Sequence, residues 1–572
     1  MVKMREPPAG SAGRKRTFEL YLLRRTSGQP AGREHGIVGV GNITVYDAII
    51  VGSGPAGVSA AAALLDAGLN ILMIDGGGKR AIHPPKSSYL DSNGKVSQQW
   101  QSFVQENFDA ASAPVASSLK FKLSTIKHIF DGYAREIGAT VTNFDLVGSL
   151  SEGGLSNAWG AGVACLDEKE LEKFPFQPEE LIESYRRVIK RIGVHGAKDD
   201  DLSSFFGIGE DLQPPPPLTA PAQRLFDRYC ADTKRALCGG VTLGRARNAV
   251  LTRSLNGRDG CQACGCCLWG CAWRAIYNAA YDLDRLRKRP GFNWAGGVLV
   301  AELSASGGNW IAKGHGRRDQ APLSFSARKI VLASGTISTG AIVLRSLGLF
   351  GKKVSLLSTP SVSFAIWQPR FLFRSARQQF FGLSQLGFRV RWREDVDGFA
   401  FGNIFSADGI PAMAIVGSMP LSRALSIRLF NFLGPTLLLA NCFFPGIFSN
   451  NHLSVSRDGT IAIEGNHADN LPQATRTVFR RLKRVLRRYG TFVIRSSSLA
   501  LPGADVHYAG TVPMRCAPAA HECDGQGAVA GLPGVYVADG TALPHLSAKA
   551  HTLTIMANAD RVARHIAALF NR

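Results

Sequence analysis

The order of apolar and polar residues near the start of the chain predicts a strand, a helix and a second strand in succession. Tyr46–Val51 is a short apolar run of the length expected for a buried parallel strand. A glycine-rich turn follows, and then an alanine-rich stretch that predicts a helix from Pro55 to about Ala67. Asn70–Asp75 is a second apolar run of strand length. The pattern therefore predicts a βαβ unit.

Two later segments repeat the change from strand to helix. Lys329–Ala333 predicts a strand that runs into Ser334–Gly340 and a helix, and Gly534–Asp539 predicts another strand. A further helix is predicted from about Thr552. Because strands that alternate with helices favour a parallel sheet, we expect these pieces to form one Rossmann-like α/β domain from discontinuous segments.

From about residue 350 to 500 the pattern changes to alternating apolar and polar positions, as in Gly387–Trp392. Alternation with a period of two is typical of an antiparallel sheet with one solvated face. We place an α+β substrate domain here.

The most apolar stretch, Leu429–Phe448, is long enough to span a membrane. Prolines and amides inside hydrocarbon are costly, and the stretch is interrupted by Asn431, Pro435, Asn441 and Pro445. We therefore expect a buried or interfacial segment. Arg423 and Arg428 precede it, which keeps peripheral contact with an anionic membrane open.

The composition adds a strong positive charge to this picture. The chain has 66 Lys and Arg against 44 Asp and Glu, a net charge of +22 that suits nucleic acid, anionic lipid or an acidic substrate. The charge is spread along the chain without a nucleic-acid-reading motif, so we expect no nucleic-acid partner. An ordinary solvated surface rich in arginine explains the charge equally well.

Residues 1–45 predict a disordered basic extension, because they carry eight Lys and Arg without the apolar core of a signal peptide. Arg24 and Arg25 resemble a twin-arginine export signal, yet the residues after this pair are polar and rich in glycine. We expect a cytoplasmic protein, with attachment to the inner face of a membrane as the open alternative.

The turn after the first strand has the spacing of a dinucleotide-binding motif, Gly52-Ser-Gly54-Pro55-Ala56-Gly57. Gly52 allows the tight turn, Gly54 allows a pyrophosphate to approach the backbone, and Gly57 allows the helix to pack on the strand. The helix N-terminus favours the phosphates, and Asp75, about 20 residues on, can accept hydrogen bonds from ribose hydroxyls. The motif alone leaves FAD and NAD open.

The C-terminal part contains His507 in the segment HYAGT, the turn Asp539-Gly540 after a predicted strand, and His551 directly before Thr552. With these residues it resembles the glucose–methanol–choline (GMC) oxidoreductase family. His507-Tyr-Ala-Gly-Thr511 is similar to the family's H-x-x-G-T, and His551 stands where members have His or Asn shortly before a Thr. Asp539-Gly540 resembles the family's turn between strand and helix. Gly153–Gly160 and the segment from Gly335 resemble two further family segments. The resemblance implies FAD as the cofactor.

The sequence departs from the family at three positions: Gly340 stands where proline is usual, Leu347 where glycine is usual, and Asp75 where most members have glutamate. The cofactor-binding residues that the motif and the resemblance together imply are Gly52, Gly54, Pro55, Ala56, Gly57, Asp75, Ser156, Asn157, Trp159, Gly160, Gly335, Asp539, Gly540 and Thr552.

The resemblance also implies a catalytic pair, His507 and His551. An alcohol gives up hydride only as its hydroxyl proton leaves, and an imidazole can take that proton at neutral pH. We expect His507 to be the proton acceptor. His551 should orient the alcohol, because asparagine, which replaces it in relatives, can hold a hydroxyl but cannot take its proton.

Five of the eleven cysteines lie within eleven residues. Cys261, Cys264, Cys267 and Cys271 have the spacing of a bacterial ferredoxin, with Ala272 where proline usually follows. Cysteine-rich segments also occur in cluster-bearing members of the resembled family. An iron–sulfur cluster, a structural zinc and free thiols or disulfides are the three interpretations.

Together these observations predict FAD-dependent oxidation of a sugar, sterol or lipid-linked alcohol. Oxygen, a quinone or another protein would then reoxidise the flavin. A pyridine-nucleotide-dependent flavin reductase is the first alternative, and a non-catalytic membrane-associated flavoprotein is the second. The predicted segments are the extension (1–45), three parts of the FAD-binding domain (46–165, 236–349 with the cysteines, and 501–572), a linker with part of the substrate domain (166–235) and the substrate domain (350–500).

Overall fold

The computed structural model describes residues 44–78, 84–86, 125–372, 380–393, 398–494 and 499–571. Its strands are β1 (Val45–Val51), β2 (Ile71–Asp75), β3 (Ala139–Thr142), β4 (Val241–Arg245), β5 (Phe292–Gly296), β6 (Val298–Ser306), β7 (Asn309–Gly316), β8 (Pro322–Leu332), β9 (Val354–Leu356), β10 (Ser361–Trp367), β11 (Leu386–Arg391), β12 (Phe399–Ser406), β13 (Leu437–Phe443), β14 (Asn451–Val455), β15 (Ile461–Glu464), β16 (Phe492–Ile494) and β17 (Val535–Val537). Its helices are α1 (Pro55–Asp66), α2 (Tyr133–Glu136), α3 (Glu168–Leu171), α4 (Pro178–Ile192), α5 (Ser203–Phe206), α6 (Ala220–Cys230), α7 (Thr233–Cys238), α8 (Ala279–Leu286), α9 (Thr336–Ser346), α10 (Ile410–Ser418), α11 (Arg423–Leu433), α12 (Leu471–Arg488) and α13 (Thr552–Phe570). Of the predicted extension, residues 1–45, all but the last two lie outside the described residues.

One sheet contains the strands of the predicted βαβ unit. Strands β5, β2, β1 and β8 lie side by side and parallel, and β17 pairs with the end of β8, also in parallel. The first half of β8 pairs instead with antiparallel β7, which leads on to β6. Helices α1 and α13 pack against each other in the core that contains β1, β2 and β17. The predicted Rossmann-like domain from discontinuous segments is confirmed.

A second, antiparallel sheet has the strand order β16-β10-β13-β12-β11-β4. One face packs on α12 through buried residues of alternate strand positions. The other face borders a large cavity. The prediction of a strand in Gly387–Trp392 is confirmed, since β11 covers all but the last residue. Strand β4 corrects one predicted boundary: it pairs with β11, so the segment from residue 236 contributes to this sheet and not only to the flavin sheet.

A third sheet, in the order β3-β15-β14-β9, shares a buried core with α9. Strand β3 comes from the segment 46–165 that is predicted to belong to the flavin domain, yet it pairs with β15 of the substrate segment. Only the three-dimensional pairing brings these distant parts of the chain together.

The apolar stretch Leu429–Phe448 does not form one continuous helix. It contains the end of α11, a short turn at Gly434–Thr436 and strand β13 inside the antiparallel sheet. Alternate residues of β13 are buried, so the prediction of a buried segment holds for this strand. Among the described residues, no helix is both long enough and apolar enough to cross a bilayer.

Candidate active site

The turn between β1 and α1 leaves open space where a pyrophosphate is predicted. Gly52 has a φ of +105°, and a Cβ on Gly57 would lie 1.9 Å from the Gly52 carbonyl oxygen, so both positions require glycine. A Cβ on Gly54 would meet no atom within 4 Å. Gly54 precedes Pro55 at the first position of α1, whose free N–H groups and dipole favour an anion.

Asp75 holds this turn from the end of β2. Its Oδ2 accepts a hydrogen bond from Ser53 N at 2.7 Å, and its Oδ1 accepts one from Gly77 N at 2.7 Å. Burial raises the pKa of Asp75 to about 6. The carboxylate still borders the cavity, and a carboxylate has lone pairs for further donors.

A second buried carboxylate, Asp539, connects the C-terminal segment to the beginning of α9. Its Oδ2 accepts hydrogen bonds from Gly335 N at 2.8 Å and Thr339 Oγ1 at 2.7 Å. Its Oδ1 accepts from Thr541 N at 2.9 Å and from the Thr541 hydroxyl. Burial raises the pKa of Asp539 above its ordinary value.

Both turns border one cavity of about 1410 Å³. Pockets for a single small ligand usually measure about 300–1,000 Å³, so this volume suits a dinucleotide together with a substrate. The predicted residues that line it are Gly52, Gly54, Pro55, Ala56, Asp75, Ser156, Trp159, Gly160, Gly335, His507, Asp539, Gly540, His551 and Thr552.

Two predicted cofactor residues do not line this cavity. Gly57 packs against the turn, as its contact with Gly52 shows. The Asn157 side chain donates to the Glu152 carbonyl oxygen at 2.8 Å and accepts from Asn278 Nδ2 at 2.8 Å, so it fixes its own loop. The neighbouring Trp159 lines the cavity, and its indole N–H donates to the Tyr277 carbonyl oxygen at 2.8 Å.

His507 and His551 both line the cavity, and their rings are in edge-to-face contact. Their ring centroids are 5.1 Å apart and the rings are nearly perpendicular, at 88°. Burial lowers the pKa of His551 to about 4, so this imidazole is neutral at pH 7. Its buried Nδ1 has no hydrogen-bond partner among the described residues.

His507 is fixed by two residues that the sequence did not single out. Thr359 Oγ1 lies 2.8 Å from His507 Nδ1 and 2.8 Å from Asp505 Oδ2. The same carboxylate oxygen accepts from Thr359 N at 2.8 Å and from His507 N at 3.1 Å. Burial raises the pKa of Asp505 to about 7. Val506 between them has a φ of +63°, which strains a β-branched residue.

The threonine hydroxyl has one proton, which decides the tautomer of His507. If it donates to the Asp505 carboxylate, the hydroxyl oxygen is left to accept from His507 Nδ1–H. Nε2 is then the unprotonated nitrogen of the ring. Asp505 stands two residues before the histidine motif and could have been noticed there, whereas Thr359 is 148 residues from His507 and gives no local signal.

The antiparallel sheet adds an uncharged surface to the cavity. Cross-strand pairing places Ser363, Asn441 and Asn403 in one row, and the Asn441 side-chain oxygen accepts from Asn403 N at 3.1 Å. On the same face of β13, Phe443 and Leu439 lie on either side of Asn441, so the neighbouring rows are apolar at these positions. The ring centroid of Phe443 lies 5.1 Å from that of His507. The lining residues from these strands carry polar or apolar groups but no charge.

The cysteine segment lies beside this cavity. Gly265 and Leu268 line the cavity, and Cys261, Cys267 and Cys271 pack with Trp159 in one small apolar core. Burial raises the pKa of Cys267, with a smaller contribution from the neighbouring thiols. Within the described residues, no set of three or more His, Cys, Asp or Glu side chains is arranged to hold a metal, and the predicted four cysteines are no exception.

Comparison with known proteins adds independent observations. A family model described as GMC oxidoreductase matches residues 466–559, the segment that contains both histidines. The crystal structure of pyridoxine 4-oxidase from Mesorbium loti matches with a TM-score of 0.55 at 15% identity, over 91% of this chain and 99% of that chain. At this identity the likeness shows a shared fold. No curated protein matches the sequence.

The matched segment contains β17, the Asp539 turn, His507 and His551. The sequence match of this segment and the shared fold of the whole chain together support membership of the GMC oxidoreductase family, and with it an FAD-dependent oxidoreductase that acts on CH–OH groups.

Proposed function

We propose that the protein oxidises a neutral alcohol, with His507 as the proton acceptor and His551 as the residue that orients the hydroxyl. One observation supports this most strongly: the two imidazoles face each other at 5.1 Å in the cavity, and one of them is fixed through Thr359 to a buried carboxylate. The uncharged lining of the antiparallel sheet supports a neutral substrate.

The residues around the cavity fit FAD. The open space at Gly54 and the N-terminus of α1 would take the pyrophosphate, and Asp75 and the Asp539 turn would border the remainder of the dinucleotide. When bound, FAD supplies the acceptor for the hydride that leaves the carbinol carbon. The protein residues must then remove the hydroxyl proton and hold the oxygen in place.

The network at His507 prepares this imidazole to accept a proton. With Nδ1–H donated to Thr359, Nε2 is the unprotonated nitrogen of the ring and is the atom that would accept the proton of the alcohol. The Asp505 carboxylate, reached through Thr359, stabilises the positive charge that His507 acquires. His551 is neutral because it is buried, so it can hold the alcohol oxygen by a hydrogen bond without competing for the proton.

The predicted iron–sulfur cluster at Cys261, Cys264, Cys267 and Cys271 stays a prediction. Its support is the ferredoxin-like spacing and the position of the loop beside the cavity. The thiols are not arranged as a ligand set, so the mechanism does not use this loop. Iron and acid-labile sulfide in the purified protein are the direct measurement.

Replacing Gly54 by valine should abolish FAD binding while the fold survives. The backbone at Gly54 has a φ of −64°, which valine can adopt, and the side chain would extend into open space. That space is where the pyrophosphate is proposed to lie. Flavin content and circular dichroism of the purified variant measure the two effects separately. Full FAD occupancy in Gly54→Val would show that this turn does not hold the cofactor.

The two histidines should contribute unequally to flavin reduction. His507→Ala should slow reduction by about 10²–10⁴-fold, or roughly 3–5 kcal/mol of barrier, because it removes the proton acceptor. His551→Asn should cost much less, because a hydrogen-bond donor remains. Stopped-flow reduction of proteins with equal FAD content makes the comparison. Equal losses in the two variants would contradict the assignment of roles, and no loss in either would contradict the catalytic proposal.

The link through Thr359 should appear in the pH dependence. Above pH 7 Asp505 is ionised and accepts from the Thr359 hydroxyl, so that His507 carries its proton on Nδ1 and Nε2 is the basic nitrogen. Below pH 7 this arrangement is lost. We therefore expect the rate of flavin reduction to rise with pH through about 7.

Thr359→Val should lower the rate about tenfold at pH 8, since one hydrogen bond to a charged group is removed. Thr359→Ser keeps the hydroxyl and serves as the matched control, so its rate should stay near that of the wild type. Asp505→Asn should remove the inflection near pH 7. If Thr359→Val and Thr359→Ser have the same rate and the same pH profile, the network only supports the fold.

A further inference from the structure

Helix α11 exposes an apolar face although it belongs to the folded substrate region. Leu421, just before the helix, and Leu425, Leu429 and Phe432 follow one another at intervals of four, four and three residues, which places them on one side. These four side chains are between 38% and 49% exposed. The opposite side of the helix buries Ile427 and Phe430 against α10.

The edge of the antiparallel sheet continues this surface. Phe492 and Ile494 are exposed on edge strand β16, and the ring of Phe492 lies 5.9 Å from that of Trp367 at the end of β10. Gln368 N then donates to the Thr436 carbonyl oxygen at 2.7 Å, in the turn that directly follows α11. The apolar rim, as we name this surface, consists of Leu372, Leu421, Leu425, Leu429, Phe432, Phe492 and Ile494.

The charge around the apolar rim is positive. Arg423 and Arg428 lie on α11 itself, and residues 409–456 contain no Asp or Glu. Helix α12 carries seven Lys and Arg and no acid, and it ends with exposed Arg487 and Arg488 shortly before β16. Apolar side chains bordered by arginine are the features of a surface that lies in the interface of an anionic bilayer.

The charge also decides against a second copy of the chain as the occupant. A symmetric dimer would place one basic rim against another, and each chain has a net charge of +22. A bilayer with anionic headgroups attracts the same charge. The described residues include no helix suited to cross a membrane, so attachment would be in the plane of the interface.

The cavity reaches the surface next to the apolar rim. Ile494 pairs with Ala365, and Ser363, two residues earlier on β10, is exposed and lines the cavity. Exposed Leu501 also lines the cavity. Leu439 and Phe405 extend an apolar lining from the polar row of Ser363, Asn441 and Asn403 towards this end of the sheet.

We propose that the apolar rim docks the protein on an anionic lipid bilayer and that the alcohol substrate enters the cavity from the lipid. The proposed docking depends only on the residues of the apolar rim and on the charge around it. The second part rests on the proposed alcohol oxidation and makes the substrate an amphipathic alcohol whose apolar part lies along Leu439 and Phe405.

Flotation of the FAD-loaded full chain with vesicles tests the docking. Wild-type protein should float with phosphatidylglycerol–phosphatidylcholine vesicles and much less with pure phosphatidylcholine, and added salt should weaken the binding. The variant L429E/F432E should bind anionic vesicles at least about tenfold more weakly, since it places two charges in the interface. Phe492→Glu, on a different element, should weaken binding in the same direction.

Leu237→Glu is the matched control. Leu237 is a helical leucine, 50% exposed, on α7 beside β4 at the opposite edge of the same sheet, so this variant should bind like the wild type. FAD content and flavin reduction by a water-soluble alcohol should be unchanged in all variants. A wild type that reduces no alcohol contradicts the proposed function, while flotation still decides the docking separately.

Three results would overturn the docking proposal. The wild type could fail to float with anionic vesicles, or L429E/F432E and Phe492→Glu could both float like the wild type. The third result is a wild-type protein that forms a dimer and binds no vesicles, together with an L429E/F432E variant that is a monomer. The apolar rim would then be an interface between two copies of the chain. If docking holds, a lipid-embedded long-chain alcohol should be oxidised more slowly by L429E/F432E than by the wild type, at equal rates on the soluble alcohol.

Discussion

The buried carboxylate of Asp539 is the interaction on which the arrangement of the site depends. It receives hydrogen bonds from the first residues of the α9 segment and from the turn after β17, which are about 200 residues apart in sequence. Burying a carboxylate without hydrogen-bond donors would strongly destabilise the fold, so the donors from α9 and those from the turn after β17 must meet at Asp539. The segment with His507 and His551 is held by this contact at the carboxyl end of the parallel strands, beside the glycine turn of β1.

The two histidines of the cavity have different surroundings, although they are the same type of side chain. Burial keeps the His551 imidazole neutral, so that it can serve as a hydrogen-bonding group, and its Nδ1 has no hydrogen-bond partner among the described residues. His507 is linked through Thr359 to Asp505, which favours a positive charge on the imidazole. The two environments therefore differ in the direction that the proposed division of roles requires. The strained backbone at Val506 is compatible with a site where orientation is fixed by its surroundings.

The sequence was sufficient for features that depend on neighbouring residues. The glycine turn at Gly52–Gly57 and strand β11 follow from local periodicity and spacing, and the structure has them where they were expected. Features that depend on pairing between distant segments could not be predicted. Thr359 reaches His507 across 148 residues, Asn403 and Asn441 meet through strand register, and β4 joins the antiparallel sheet because of its partner β11. One sequence without related chains contains no signal for such long-range contacts.

Strand β17 also has a consequence for how the chain folds during synthesis. It pairs with β8, which is about 200 residues earlier in the chain. The part of the β8 edge that receives β17 therefore stays open until all the residues between the two strands have left the ribosome. Contacts of such long sequence separation form slowly, and a strand edge favours aggregation as long as it is unpaired. Production of the enzyme therefore depends on how well the nascent chain is protected during this interval, whatever the stability of the finished protein.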